Sequence, residues 1–222
     1  MFYQGFIVNV RGKDMRILCI GDSNTWGYNP ENGLRFQNRW TKILSSLMPD
    51  SEIIEEGLNG RTILSPDPYI PERLGISALK ILLMTHKPVD LIIIMLGTNE
   101  LKDYYKSSAD YIAEGIEQFI QIIQDKTMWP RFNVPQLLII SPVLIREELL
   151  CGKCPFGDFN ETSLAQSKLM ASAISRICSQ YNVEFMDAAN FAEASLTDCI
   201  HLDEENHSKL AYAIYEKIQN LS

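Results

Sequence analysis

Residues 16–28 read RILCIGDSNTWGY, an apolar run that stops at Gly21 and is followed directly by Asp22, Ser23 and Asn24. Four later runs have the same β-type composition, so that the set comprises residues 16–20, 52–56, 91–96, 136–141 and 183–186. Three of these runs are nearly continuous in apolar residues, which is typical of strands covered on both faces. The first run therefore predicts a buried central strand that ends in polar side chains.

Segments of helical period lie between these runs. Their apolar residues recur at spacings of three and four, in the sets Trp40, Ile43, Leu44 and Leu47; Ile112, Ile116, Phe119, Ile120 and Ile123; Met170, Ile174, Ile177, Cys178 and Tyr181; and Leu210, Ile214, Ile218 and Leu221. Such stripes are typical of helix faces packed on a core. The alternation predicts a parallel sheet in a three-layer α/β/α fold, with ligands bound beyond the carboxyl ends of the strands.

Length and charge exclude several classes of protein. A chain of 222 residues with a formal net charge of -8 suits one medium domain and disfavours a nucleic-acid partner. The longest apolar runs fall far short of the roughly 20 residues that cross a bilayer. We expect a single domain over residues 15–222, a cytoplasmic location and reduced cysteines, with residues 1–14 an N-terminal extension or a misassigned start.

Polar residues follow several of the predicted strands, and three of them suit nucleophilic catalysis. Taken alone, Ser23 reads as an ordinary turn or helix-capping serine. A serine needs a base to react at neutral pH, and His201 is the histidine best placed to supply one. Asp198, three residues earlier, could accept the second imidazole N–H and fix the ring. These residues predict a Ser–His–Asp catalytic set.

Acyl transfer also requires donors for the negative charge that develops on the carbonyl oxygen. Gly60 follows the second strand and Asn99 follows the third. The N–H groups of Ser23 and Gly60 and the side-chain amide of Asn99 are suitable donors. We therefore expect an oxyanion hole at the same edge of the sheet.

The blocks GDSN, GLNGRT, GTNE and DCIH, in this order, resemble the four blocks of the SGNH hydrolase superfamily, also called GDSL esterases and lipases. The resemblance spans residues 15–222 and is strongest to the bacterial arylesterase and acyltransferase branch. It implies a flavodoxin-like sheet in the order 2-1-3-4-5, with the catalytic and oxyanion roles given above. Three positions depart from the common pattern: Asn24 replaces Leu, Glu100 replaces Asp and Cys199 replaces Gly.

Other residues admit two interpretations. His207 lies in HLDEENH, which could hold a metal but reads better as the acidic first turn of a helix. Cys151 and Cys154 form a CxxC without a second partner motif, so we favour a plain loop pair over zinc or redox chemistry. Residues 142–160 could form a lid or pocket wall, or a surface excursion. Trp26 and Arg61 flank the reactive blocks and are candidate substrate-binding residues.

The sequence therefore predicts a serine esterase for short-chain or aryl esters that needs neither metal nor cofactor. By resemblance it could also transfer the acyl group to an alcohol, or act as a carbohydrate O-deacetylase or short-chain lipase. The alternative from another class is a non-catalytic flavodoxin-like binding module. Because relatives in the acyltransferase branch can assemble, the resemblance leaves a homo-oligomer open.

Overall fold

The computed structural model describes residues 14–152 and 157–221. Its centre is a five-stranded sheet in the order β2-β1-β3-β4-β5, and every neighbouring pair is parallel. The strands are β1 (Arg16–Gly21), β2 (Glu52–Gly57), β3 (Leu91–Met95), β4 (Gln136–Ser141) and β5 (Glu184–Asp187). The expected strand order is therefore confirmed.

In the described residues, five α-helices lie between successive strands and a sixth follows β5. They are α1 (Ser23–Trp26), α2 (Trp40–Leu47), α3 (Gly75–His86), α4 (Ala109–Gln124), α5 (Glu161–Gln180) and α6 (Glu204–Gln219). The four helices predicted from apolar stripes are confirmed as α2, α4, α5 and α6. Side chains cap several N-termini: Ser108 accepts from the N–H of Tyr111 at α4, and Asp203 accepts from that of Asn206 at α6.

Each strand of the sheet contributes side chains to two cores. In β1, Leu18 and Ile20 pack on one face with α3, α4 and α5, whereas Ile17 and Cys19 pack on the other face with α2 and α6. The alternation follows from the two-residue period of a strand. Burying both faces explains the continuous apolar runs and confirms the three-layer architecture. Each fully buried Leu or Ile stabilises the fold by about 1.5–3 kcal/mol.

The close approach of α1 to the sheet depends on Gly57 at the end of β2. A Cβ at this position would lie 2.2 Å from the backbone nitrogen of Trp26, so only glycine leaves room for the α1 backbone. The turn that begins at Ser23 is thereby held against the carboxyl ends of β1 and β2.

Some expectations lie outside the described residues. Of the suggested extension, residues 1–13 are not described, and neither is Cys154. Within the described ranges, no helix is both long and apolar enough to cross a membrane.

Candidate active site

Three of the predicted residues form a continuous hydrogen-bonded line at the carboxyl edge of the sheet. The Oγ of Ser23 lies 2.8 Å from Nε2 of His201, and Nδ1 of His201 lies 2.6 Å from Oδ2 of Asp198. Asp198 is fully buried, while Ser23 and His201 are each 8% exposed. A hydroxyl bonded to an imidazole that a buried carboxylate orients is an arrangement that can generate a nucleophile.

Backbone groups fix the Asp198 carboxylate. Its Oδ1 accepts from the N–H of Ile200 at 3.0 Å and from that of His201 at 2.9 Å. The acid is thus tied to the loop that carries its imidazole partner, which limits relative movement of the two side chains.

Asn24 connects the serine turn to the histidine loop. Its Oδ1 accepts from the N–H of Leu202 at 2.9 Å, and its Nδ2 donates to the carbonyl of Ile200 at 3.3 Å. These bonds bracket His201 on both sides. The residue that departs from the GDSL pattern therefore aligns the two segments that supply the hydroxyl and the imidazole.

The Asn59–Gly60 peptide is held by Arg73. The Nε of Arg73 donates to the carbonyl of Asn59 at 3.0 Å, and its Nη1 donates to Oδ2 of Asp67 at 2.8 Å. Because the C=O and N–H of a trans peptide point in opposite directions, the Gly60 N–H faces away from the guanidinium. Gly60 has φ +79°, and a Cβ there would lie 2.5 Å from Arg73 Nε, so both backbone and space require glycine.

The side-chain amide of Asn99 is oriented by the same loop. Its Nδ2 donates to the carbonyl of Arg61 at 3.1 Å, which leaves the second hydrogen of this group for another acceptor. Ser23 is the first residue of α1, so its own N–H has no partner within the helix. Three potential donors, the N–H groups of Ser23 and Gly60 and the amide of Asn99, thus lie at the carboxyl edge of the sheet.

These groups share a cavity of about 260 Å³. Its wall is formed by Ser23, Tyr28, Asn59, Gly60, Arg73, Thr98, Asn99, Lys102, Asp158, Phe159, Ile200 and His201. The ring centroid of Tyr28 lies 4.5 Å from that of His201. Asp158 and Phe159 show that part of the 142–160 segment is pocket wall, one of the two roles considered for it.

Trp26 and Arg61, the predicted substrate-binding residues, are not among the residues that form this wall. Arg61 is 5% exposed, and its Nη1 donates to the carbonyls of Gly21 and Glu56 beneath the site. The carbonyl of Trp26 accepts from Nε of Arg35, whose guanidinium stands 5.3 Å from the indole centroid. Both residues thus support the surrounding backbone, and the cationic side chains in the wall are instead Arg73 and Lys102, which no motif indicated.

Two buried carboxyl groups lie beside the site. Burial raises the pKa of Asp22 to about 6, although the N–H of Asn24 and the charge of His201 oppose the change. Burial likewise raises the pKa of Glu100 to about 7, against hydrogen bonds that include one from the N–H of Ile63. Both groups therefore change charge near neutral pH.

His207 has a structural environment distinct from that of His201. It lies in the first turns of α6, is fully buried, and its Nδ1 accepts from the N–H of Trp40 at 3.3 Å. Burial lowers its pKa to about 3, so the ring is neutral. In the described part of the chain no group of three or more potential ligands could hold a metal ion. Cys151 is exposed and free.

The fold and site define a class: a three-layer α/β/α protein in which a serine, a histidine and an aspartate are joined by hydrogen bonds at the carboxyl edge of a parallel sheet. Residues 19–208 match the family model described as the GDSL-like lipase/acylhydrolase family. The chain belongs to this family, within the SGNH hydrolase superfamily, and is an esterase-type hydrolase.

Solved structures agree with this assignment. An aryl esterase from M. smegmatis is 34% identical with a TM-score of 0.85, and the match covers 94% of this chain and 100% of that one. A carbohydrate acetylesterase from Sinorhizobium meliloti is 30% identical with a TM-score of 0.86, again covering 94% and 100%. No curated protein matches the chain significantly.

Proposed function

We propose that the chain is a serine esterase that hydrolyses small acyl esters through an acyl-enzyme. The observation that carries the proposal is the 2.8 Å contact between Ser23 Oγ and His201 Nε2, with His201 Nδ1 held by buried Asp198. His201 would take the hydroxyl proton as Ser23 attacks the ester carbonyl. It would then donate that proton to the leaving alcohol, while Asp198 stabilises the imidazolium.

The tetrahedral intermediate would place its oxyanion among three donors, the N–H groups of Ser23 and Gly60 and the amide of Asn99. Preorganised donors of this kind contribute because they need no reorientation as charge develops. Water activated by His201 would then attack the acyl group on Ser23 and release the acid. Every step uses side chains and backbone groups of this chain.

The cavity favours short acyl groups. Its volume of about 260 Å³ is below the range of about 300–1,000 Å³ typical of ligand pockets. We expect 4-nitrophenyl acetate to be a better substrate than the octanoate, since the longer chain must leave the cavity.

The central test is substitution of the nucleophile. Ser23→Ala should lower the release of 4-nitrophenol from its acetate by at least about 10³-fold, in line with loss of a nucleophile. Ser141→Ala is the matched control, because Ser141 is a buried serine at the end of β4 and should leave activity intact. A phosphonate ester should label Ser23, detectable by peptide mass spectrometry. Equal release by wild type and Ser23→Ala would contradict Ser23 as the nucleophile, whereas no release by either protein would favour a binding module.

The base is assigned by a second pair of variants. His201→Ala should abolish turnover. His207→Ala should retain most of the wild-type kcat when kcat is expressed per molecule of folded protein. Equal loss of kcat in folded protein would contradict the assignment of His201.

A second candidate, removal of acetyl groups from carbohydrate, is favoured by the polar wall and by the acetylesterase relative. Arg73, Lys102, Asn59 and Thr98 offer donors and acceptors to sugar hydroxyls. Acetate release from acetylated xylose, compared with 4-nitrophenyl acetate, separates the two. Adding methanol to the assay tests acyl transfer: methyl acetate as product would support it, and acetic acid alone would count against it.

A further inference from the structure

We propose that the cavity takes an ester bearing a carboxylate group, which pairs with the ammonium group of Lys102. The proposal deepens the esterase function proposed above and rests on it. It names the chemical class of substrate for the same cavity.

Lys102 is placed in the cavity wall by the segment that supplies Asn99. A 3₁₀ turn over Asn99–Leu101 ends at Lys102, which lies three residues beyond the candidate oxyanion donor. The side chain is partly buried and lines the cavity together with Ser23 and His201. A substrate held by Ser23 would therefore lie beside this residue.

The ammonium group is not neutralised by the protein. In residues 14–152 and 157–221 it has no hydrogen-bond acceptor and no carboxylate within ion-pair distance. The ring of Tyr104, 6.0 Å away, restrains it by a cation–π contact that leaves its charge in place. Burial and the positive charge of Arg73 lower the pKa of Lys102, and the negative charges of Asp158, Asp67 and Asp22 only partly oppose this change. A partly buried cation without a partner is stabilised by an anion that enters the cavity.

The other charged residues of the wall are already engaged or exposed. Arg73 is paired with Asp67 at 2.8 Å and bonded to the Asn59 carbonyl, so its charge is largely offset. Asp158 is exposed, and its charge is therefore screened by water. Lys102 is thus the cation most able to select a substrate.

The geometry favours a carboxylate over a phosphate. A single ammonium group matches a single negative charge, whereas phosphate is usually bound by several donors or a bidentate arginine. A cavity of about 260 Å³ also has room for a small planar anion. The selected substrate is therefore a compact ester with one carboxylate.

The test compares charged and neutral esters of similar shape. Substrates are 4-acetoxybenzoate, the neutral 4-acetoxybenzamide and, for phosphate, 4-acetoxyphenyl phosphate. A second pair moves the charge to the acyl side: the 4-nitrophenyl half-ester of adipic acid against 4-nitrophenyl hexanoate. We expect wild type to show a KM about tenfold lower for one or both carboxylates than for the neutral partner, as for one charge-assisted hydrogen bond.

Lys102→Met should remove this preference, raising KM for the favoured carboxylate about tenfold more than KM for the neutral ester of the same pair. Lys102→Arg should restore most of it. Lys209→Met is the control, since it removes the same charge from the exposed side of α6, where Lys209 pairs with Glu205 at 2.7 Å. Added salt should lower wild-type kcat/KM for the carboxylate alone.

Three results would overturn the proposal. If wild type has equal KM for the charged and the neutral ester of each pair, there is no preference for a carboxylate. If Lys102→Met raises KM equally for both esters, the role of Lys102 is structural. A stronger preference for the phosphate would assign another substrate class. In each of these cases, turnover of neutral esters would still support the esterase function. No turnover of any ester would refute both the esterase function and the carboxylate preference. If Lys102→Met does not fold, the wild-type comparison and its salt dependence still decide.

Discussion

Arg73 is expected to control the rate of the chemical step through the peptide that it holds. Its Nε bonds the Asn59 carbonyl at 3.0 Å, and the Gly60 N–H belongs to the same peptide plane. Arg73→Lys keeps a cation opposite Asp67 but loses the guanidinium Nε. Without this bond the peptide can rotate, and the Gly60 donor is then misdirected for part of the time.

The expected loss can be bounded from both sides. A hydrogen bond from a charged donor contributes about 1.5–3 kcal/mol, which corresponds to roughly a 10- to 150-fold bias in peptide orientation. Complete loss of one oxyanion donor lowers kcat by about 10²–10³-fold. If the two peptide orientations became equally populated, kcat would fall about twofold, and complete loss of the donor sets the upper limit. We therefore expect Arg73→Lys to lower kcat between about twofold and about 10²-fold, with KM for a neutral ester changed less than the fall in kcat, because the donor acts on the transition state.

The assay is the steady-state hydrolysis of 4-nitrophenyl acetate, whose lack of charge isolates the effect from substrate electrostatics. Arg35→Lys is the matched control: Arg35 also donates its Nε to a backbone carbonyl, that of Trp26 at 2.6 Å, but does not line the cavity. Thermal unfolding of both variants measures any shared loss of stability. An unchanged kcat in Arg73→Lys, or a loss confined to KM, would refute the peptide-holding role.

Three further predictions concern buried polar groups. Because burial lowers the pKa of His207 from 6.5 to about 3, the unfolded chain binds its proton first, and the free energy of unfolding falls by up to about 1.4 kcal/mol per pH unit as pH drops from 6.5 towards 3. Urea unfolding at pH 7.5 and 5 should show a smaller loss in His207→Gln; parallel losses would contradict this. Glu100 should make the free energy of unfolding depend on pH in the opposite direction. Because burial raises its pKa from 4.5 to about 7, its contribution to stability is lost as pH rises through that range. Glu100→Gln keeps an acceptor for the Ile63 N–H, so this variant should lose less stability than wild type between pH 5 and 8. Asn24→Ala should lower kcat about tenfold or more, since the His201 loop loses two hydrogen bonds, each worth about 0.5–1.5 kcal/mol. A fall in stability with kcat unchanged would argue that Asn24 does not align Ser23 with His201.

The predicted residues that the structure brings together are those governed by sheet topology. Ser23, Asn99 and the Asp198–His201 pair lie far apart in the chain, yet each follows a strand or precedes the last helix. Since parallel strands in such a sheet end at one edge, these positions must converge there. Gly60 obeys the same rule, and its positive φ explains why glycine is needed.

Sheet topology does not predict which residues of irregular segments line the cavity. Arg73 comes from a short 3₁₀ turn over Pro71–Arg73, which has no strand before it and no motif around it. Lys102 follows a motif but carries no signal that its side chain lines the cavity. Arg61 shows the opposite case: its backbone lies next to the Gly60 loop, but its guanidinium donates to the Gly21 carbonyl and does not line the cavity. Sequence spacing locates a backbone position, whereas side-chain direction depends on contacts made in three dimensions.

The three departures from the common family pattern also acquire physical explanations. Cys199 has φ +67°, a conformation in which glycine is unstrained and other residues cost about 1–2 kcal/mol, so the glycine common there is understandable. The buried Cys199 side chain offsets part of that strain by packing in the core. Glu100 bonds the Ile63 N–H and thereby anchors the loop that follows Gly60. The Asn24 amide makes two hydrogen bonds to the His201 loop, whereas a leucine at this position could only pack against it.

On the proposed mechanism, Asn24 and Arg73 therefore act on different halves of one reaction. Asn24 links the β1 turn to the histidine loop, so it governs the distance over which the proton leaves the hydroxyl. Arg73 orients a peptide of the loop after β2, so it governs the charge that the attack creates. Among the described residues no hydrogen bond or ion pair joins Asn24 to Arg73. Their effects on the activation free energy should therefore add, and the double variant should lose the product of the two single losses in kcat. A loss no greater than that of one variant would mean that proton transfer and oxyanion stabilisation depend on one shared rearrangement of this edge.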